Sequence, residues 1–533
     1  MVIRRGSCIT EGIAVDKRAE MQSDDERRPV AAAPGASSPT VARWRVDDAF
    51  LLLIITGLLL ARIPALPHRI FDPDELQHSH AAWCVSKGML PYKDFFEHHT
   101  PWYYFTLSSF FRWFKVDQSL DSATHFLSFA RGLSLLLAAL SVLLVSRVGR
   151  IWENRKVGLA AAFFLVAQPV FFQKGVEIRP DVLALPFFLA GLWFLVRGLG
   201  GAGEVAPQSS RWFFGGGLCL GAAIMCTQKM LFVLPGAFFG LGLWCLAGRR
   251  RGFLARAVLV LVGLAGVAVP AALTWAGFAL RGGAGQFVAN NFLLNARWNV
   301  RVGEQLLLVL ETSWPALVLC LLGATVCMYR FCRSRQRHYG EVLLLSTLGG
   351  LIAGILVVPV AHRQYYFMLL PIVSLFAARG LLFLVELPQE RARPWILVCA
   401  TLPLLVWPIV DLRRSFAVRN DNQMARLSYV FQHTRPTDLV MDGWQGTGVF
   451  RPHAFHYFFV HEELLAMLPE RDKQAYLDSL ESGRIRPRLI TLDDNLVALG
   501  SRFVRFVLKN YRSEDGLFYL SDRELQGKGG QDR

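Results

Sequence analysis

Leu51-Leu52-Leu53-Ile54-Ile55-Thr56-Gly57-Leu58-Leu59-Leu60 is an uncharged apolar run, and Ala160 to Ala167 and Val258 to Val269 repeat the pattern. A bilayer core demands about 20 apolar residues per helix, and runs of this kind recur too often for buried helices of a soluble domain. The rest of the 533-residue chain agrees: 53% of residues are hydrophobic and 18% charged. Soluble chains carry about a quarter charged residues. Soluble, fibrous and disordered classes are excluded for most of the chain, which reads as an α-helical polytopic membrane protein.

Run length predicts about eleven transmembrane helices. They fall at 47–65, 125–146, 157–173, 182–198, 212–227, 230–247, 257–279, 305–328, 341–360, 365–385 and 395–411. Residues 1–45, rich in Arg, Ala, Ser and Pro without a hydrophobic period, are expected to be a disordered tail. The first run starts too late for an ordinary signal peptide and is expected to be retained. Residues 46–411 form the membrane region, and 412–533 a small soluble α/β domain. In the latter, Met424 to Gln432 and Gln474 to Ser482 read as helices. Asp438 to Asp442, Arg488 to Leu492 and Leu517 to Leu520 read as strands.

Charge assigns the two faces. The excess of 57 Lys and Arg over 41 Asp and Glu gives +16. Much of it lies in one alternating set of short loops: Arg147, Arg150, Arg155 and Lys156; Arg249, Arg250, Arg251 and Arg256; Arg330, Arg333, Arg335 and Arg337. Arg43 and Arg45 fall on the same face, as cytoplasmic loops require. The excess therefore marks topology, and no nucleic-acid partner is expected. The N-terminus is expected in the cytoplasm and the C-terminal domain outside, in the inner (plasma) membrane of a bacterium.

The nine cysteines lie mostly within apolar runs, with no Cys-x-x-Cys pair and none after Cys399. They imply neither a disulfide framework nor a metal-thiolate site.

Polar chemistry collects on the other face. The loop 66–124 is rich in Trp, Tyr, Phe and His, as suits interfacial helices. Its densest stretch is Phe71-Asp72-Pro73-Asp74-Glu75-Leu76-Gln77-His78-Ser79-His80. If Pro73 opens a helix, Asp74 and Glu75 sit in its first turn, where carboxylates suit the helix dipole. Three carboxylates exceed what one cap requires, so capping and a general base toward an external hydroxyl both stand.

Asp94-Phe95-Phe96-Glu97-His98-His99-Thr100-Pro101 follows, and with His78 and His80 it offers metal-type ligands. His78 and His80 point to different faces of a helix and no zinc signature is present, so no metal ligands are assigned. No cofactor is required by the sequence, and a divalent metal is left open. Glu177-Ile178-Arg179-Pro180-Asp181 reads as a local charge network or an anion site. Arg179, Lys229 and His362-Arg363 come from three span ends on one face. Together they point to a phosphate just inside the interface, where snorkelling would explain each one singly.

In order and spacing, these pieces resemble the polytopic GT-C glycosyltransferases. They resemble in particular the branch that includes the protein O-mannosyltransferases and bacterial aminoarabinose-lipid A transferases. The pieces are Asp74-Glu75, Tyr92-x-Asp94 leading to His99-Thr100-Pro101, Glu177-x-Arg179-x-Asp181, Lys229, and Arg363-x-Tyr365-Tyr366 before Leu370-Pro371. Relatives often show His-Pro-Pro where this chain has His99-Thr100-Pro101.

The resemblance spans roughly residues 47 to 385. It implies a GT-C-like fold, a polyprenyl-phosphate sugar donor and transfer to a hydroxyl of an external lipid, glycan or protein. Asp74 falls on the catalytic aspartate, with Glu75 beside it. Arg179, Lys229 and Arg363 fall near the donor phosphate, and Asp94, His99, Glu177, Asp181, His362 and Tyr365 support the site. Direct displacement would invert the anomeric centre. Beyond substrates, membrane lipids are the expected partners.

Asp442-Gly443-Trp444-Gln445-Gly446-Thr447-Gly448, followed by Arg451-Pro452-His453, reads either as an acceptor-side lining or as a plain glycine-rich turn. The rival function is a transporter or flippase for a lipid-linked or anionic solute. That would favour inverted repeats and broken mid-membrane helices. Gly215-Gly216-Gly217 is its best hint, and close helix packing explains the same glycines.

Overall fold

A computed structural model describes residues 46–521 apart from 201–207, 248–249, 296–301, 334–337, 358–361, 388–392 and 514. The expected tail 1–45 and the loop residues Arg249, Arg335 and Arg337 lie outside the described residues.

The membrane region runs α1 Val46–Leu60, α2 Pro73–Ser86, α3 Trp102–Ser108, α4 Leu120–Trp152, α5 Arg155–Ala167, α6 Pro169–Lys174 and α7 Pro180–Leu199. It continues with α8 Ser209–Cys226, α9 Val233–Leu246, α10 Arg250–Leu280, α11 Ala284–Val288, α12 Val302–Arg333, α13 Tyr339–Val357, α14 Leu370–Glu386 and α15 Arg393–Ala417. Among the described residues, eight helices are long and apolar enough to cross a membrane.

The other three expected spans are shorter or interrupted. Residues 157–173 split into α5 and α6 at Gln168-Pro169, because proline has no N–H to continue the ladder and restarts a helix at its first position. Residues 212–227 give the 18-residue α8. Residues 365–385 begin as a 3₁₀ turn, Arg363–Tyr366, and become helical only over the 17 residues of α14. Helices α5 and α14 are buried along most of their length. A helix that meets protein rather than lipid need not match the bilayer thickness.

Glycine sets how closely the helices cross. A Cβ at Gly217 of α8 would lie 1.9 Å from the Gly263 carbonyl oxygen of α10, and one at Gly221 would meet Val267. A Cβ at Gly216 would meet Leu195 of α7, whereas Gly215 has room. The Gly215-Gly216-Gly217 run is thus the place where α8 passes between α7 and α10. Gly236 of α9 against Ser346 of α13, and Gly323 of α12 against Phe376 of α14, repeat the device.

After α15 come α16 Asp421–His433, β1 Val440–Asp442, α17 Glu462–Met467, α18 Glu470–Glu481, β2 Leu489–Thr491, α19 Asp494–Val497, α20 Ser501–Asn510 and β3 Phe518–Leu520. The sheet order is β1-β2-β3, with β1 parallel to β2 and β2 antiparallel to β3. Side chains alternate across it. Val440 and Leu489 pack with Val430 of α16 on one face, while Met441 and Ile490 join Tyr476, Phe503 and Val507 on the other. All five secondary-structure elements expected here are present.

The described residues from Val46 onward make one compact unit. Helix α2 is buried from Glu75 to Cys84, and the C-terminal segment supplies part of the cover. Gly446, held at φ +74°, has Leu76 of α2 within 2.4 Å of where a Cβ would stand. Any side chain there would both strain the backbone and push the turn off the helix.

Candidate active site

The first turn of α2 separates its three carboxylates by role. Asp72 is the N-cap: its Oδ1 accepts from the Asp74 N–H at 3.1 Å, and Glu75 completes a capping box by accepting from the Asp72 N–H at 3.0 Å. Capping therefore uses Asp72 and Glu75 and leaves Asp74 over.

Glu75 is fully buried and faces Arg131 of α4, itself fully buried. Arg131 Nε and Nη2 grip the two carboxylate oxygens at 2.9 and 2.7 Å. Its remaining donors reach the Leu66, Arg69 and Ile70 carbonyls, and its plane lies 3.6 Å over Phe71. All five guanidinium N–H groups are thus satisfied. The Ile178 N–H donates to Glu75 Oε2 at 3.1 Å, which joins α2 to the loop before α7.

That loop carries the second motif. Glu177 accepts from Arg69 on one oxygen and from Arg179 and Lys174 on the other, all at 3.0–3.1 Å. Lys174 also reaches Asp72 Oδ2 at 2.7 Å. Arg179 Nη2 binds Asp74 Oδ2, and both Asp181 oxygens accept from Lys229, at 3.3 and 3.2 Å. Four carboxylates (Asp72, Asp74, Glu177, Asp181) are interleaved with four cations (Arg69, Lys174, Arg179, Lys229). Such alternation is what permits so much charge at low exposure.

Burial raises the Asp72 carboxyl, but Arg179 and Lys174 outweigh it and hold the group at about 2. Burial pushes Glu177 up, and Lys174 and Arg179 only partly offset it. Burial, helped by His99 and Arg179, pulls His78 well below the ordinary histidine value, so it is neutral at pH 7.

The remaining expected residues divide. The Lys229 ammonium lies 4.2 Å from the Tyr365 ring centre, which brings the Arg363–Tyr366 turn to the network. His362 and Arg363 are solvent-exposed. Asp94 closes its own turn by accepting from the Leu90 N–H at 2.6 Å. His99 Nδ1 contacts Glu97 Oε1 at 2.8 Å, and the His99 carbonyl accepts from the Tyr92 hydroxyl at 2.6 Å. His78, Glu97 and His99 present ligand atoms within 4.8 Å of one another and could hold a divalent cation. His78 and His80 diverge as expected, since His80 turns toward the C-terminal segment.

Asp442 organises the glycine-rich turn by accepting from Thr447 Oγ1 and from the Gln445 and Gly448 N–H groups. A cavity of about 570 Å³ lies away from the network, at the other end of α2. It is lined by Val85, Trp102, Phe105, Leu273, Phe278 and Arg281, among others.

Arg131, Arg69 and Lys174 went unassigned in the sequence. For Arg131 a signal existed: one arginine within the apolar run of α4, which membrane helices keep only when it is paired.

Comparison with known proteins agrees with this architecture. Residues 125–275 match the dolichyl-phosphate-mannose-protein mannosyltransferase family. The crystal structure of ArnT from Cupriavidus metallidurans in the apo state superposes with TM-score 0.62 at 12% identity, covering 90% of this chain and 98% of that one. ArnT bound to undecaprenyl phosphate gives TM-score 0.60 at 12% identity, covering 89% and 98%. Archaeal oligosaccharyltransferase AglB from Archaeoglobus fulgidus, with an inhibitory peptide and a dolichol-phosphate, gives 0.57 at 11% identity, covering 90% and 75%. No curated protein sequence gives a significant match. The fold is that of the GT-C membrane glycosyltransferases, and the resemblance read from the motifs is borne out.

Proposed function

We propose that this chain is a membrane glycosyltransferase that moves a sugar from a polyprenyl-phosphate donor to a hydroxyl of a lipid, glycan or protein, with Asp74 as general base. One observation carries this. Of the five carboxylates Asp72, Asp74, Glu75, Glu177 and Asp181, only Asp74 keeps an oxygen, Oδ1, without a partner among the described residues. Arg179 anchors its other oxygen and so fixes the carboxylate's orientation.

In the reaction, Asp74 Oδ1 takes the proton of the acceptor hydroxyl while that oxygen attacks the anomeric carbon. The bond from the anomeric carbon to the phosphate oxygen breaks, and its electron pair leaves on the polyprenyl phosphate. Attack from the opposite face inverts the anomeric centre. Lys229 and the exposed Arg363 stabilise charge growing on the leaving phosphate. Arg179 is buried and committed to acids, so its part is to orient Asp74 rather than to receive the phosphate. Glu75, with both oxygens occupied, acts as a positioning residue.

The lipid-phosphate donor draws support from the ArnT structure bound to undecaprenyl phosphate and the AglB structure with a dolichol-phosphate. The network end of the bundle faces outside, with the C-terminal α/β domain on that side and the N-terminus in the cytoplasm, as the Arg-rich loops argue. In this reading residues 46–411 are the catalytic membrane domain of a bacterial inner-membrane enzyme.

The test is release of polyprenyl phosphate from a polyprenyl-phosphate sugar by purified protein given candidate acceptors. Replacing Asp74→Asn should lower turnover by roughly 10²–10⁴-fold, with the fold unchanged. Equal release by wild type and Asp74→Asn would remove Asp74 from the chemistry.

A further inference from the structure

On the C-terminal side of α2 a second set of side chains converges. His80 and Cys84 are one helical turn apart and share a face. His453 follows 369 residues after Cys84, in a loop strapped to β1 by hydrogen bonds from Val440 N–H to Pro452 and from Ala454 N–H to Val440. His80 Nε2 lies 2.9 Å from His453 Nδ1 and 3.4 Å from Cys84 Sγ, and Cys84 Sγ lies 3.8 Å from His453 Nδ1. We propose that His80, Cys84 and His453 bind a divalent cation of the zinc class, which clasps the C-terminal sheet to the helix that carries Asp74.

Coordination geometry supports this. Zinc sits about 2.0–2.1 Å from imidazole nitrogen and about 2.3 Å from thiolate sulfur. At tetrahedral angles those bonds put the two nitrogens about 3.3 Å apart and each nitrogen about 3.6 Å from sulfur. The observed triangle departs from this by less than about half an ångström, within reach of small side-chain rotations.

The tautomer is suited as well. His80 Nδ1 lies 2.8 Å from the Val449 carbonyl oxygen, which can only accept. Nδ1 therefore holds the proton, and the Nε2 lone pair points into the cluster, as when a backbone carbonyl orients a metal-bound histidine. A simple imidazole pair would need no thiol within reach of both nitrogens. Phe458 stacks on His453 and packs at a tilt against His80, as does Trp83, giving the site an apolar wall. His453 is less buried than His80 and Cys84, so the cluster lies nearest to solvent on its side.

The soft thiolate distinguishes this site from the His78, Glu97 and His99 group, which offers only nitrogen and oxygen. Along α2, His80 stands six residues, about 9 Å, from Asp74. Metal here would steady the platform of the acid cluster without touching the reacting groups. It would also make docking of the C-terminal segment depend on metal.

The experiment uses full-length protein in detergent, stripped with a chelator and titrated with Co²⁺. Expected is one equivalent bound with a near-ultraviolet thiolate-to-cobalt charge-transfer band, displaced by Zn²⁺. Cys84→Ser should abolish the band, and His453→Ala should weaken binding by at least about tenfold. Glu97→Gln should leave the band as it is. Absence of the band in wild-type protein, or its survival in Cys84→Ser, would overturn the assignment. The wild-type titration decides even if a variant fails to fold, and it is independent of transferase activity.

Discussion

Arg131→Met is the most demanding test of how this site is held. The side chain is fully buried and spends five donors on Glu75 and three backbone carbonyls. Methionine nearly preserves the volume and removes the charge. Glu75 keeps only the Asp72 and Ile178 N–H groups, in a position with no access to water. Removing one partner of a buried pair costs about 3–5 kcal/mol, because the other charge is left uncompensated.

Arg131→Lys retains the charge but has three donors for five acceptors, and should cost less, about 2–3 kcal/mol. The double replacement Arg131→Met with Glu75→Leu eliminates both charges and should be more stable than Arg131→Met alone. It should not regain wild-type stability, since the Leu66, Arg69 and Ile70 carbonyls remain without their donor. Equilibrium unfolding in mixed detergent and SDS, followed by tryptophan fluorescence, reads all three. Arg131→Met within about 1 kcal/mol of wild type, or a double variant less stable than that single one, would refute the keystone role.

Asp72 should impose a pH dependence of one sign. Its folded value near 2 lies below the ordinary 3.8, so its stabilisation is complete above pH 4 and is lost as pH falls toward 2. Thermal unfolding across pH 2–6 should show that loss, and Asp72→Asn should flatten it. At the α8–α10 crossing, Gly217→Ala must push apart two backbones and should destabilise by about 1–3 kcal/mol. Gly215→Ala, with its nearest neighbours 3.8 Å away, should be close to neutral in the same melt. Arg363→Gln should lower kcat more than it raises the KM for the donor, as expected for a group that stabilises charge developing on the leaving phosphate. A pure KM effect would contradict that role.

The sequence made the fold legible wherever a signal was local. Lipid-facing helices announce themselves by length and hydropathy, and α5 and α14 do so less because neighbouring helices, not lipid, bury them. In the C-terminal segment the expected strands and helices are present, while α20 was left out although it shows Phe503, Phe506 and Val507 at i, i+3 and i+4. A ten-residue amphipathic helix between charged residues carries too little contrast for run length to find, although its period was readable.

The site divides on the same principle. Asp72, Asp74 and Glu75 were visible as an excess of carboxylates over what one cap needs, and the capping box shows which of the three is the excess. What no local pattern could state is which charges neutralise which. Arg131 lies 56 residues from Glu75, and Arg179 lies 105 from Asp74. Pairing over such distances is decided by helix packing, and it changes the roles. In the sequence Arg179 reads either as part of a local charge network or as an anion site, and in the folded chain it contacts four acids. With the four-acid, four-cation network balanced, a transferring phosphate meets a field set by small asymmetries. The exposed Arg363 and the open oxygen of Asp74 are those asymmetries, and the proposed reaction uses one for the leaving group and the other for the nucleophile's proton.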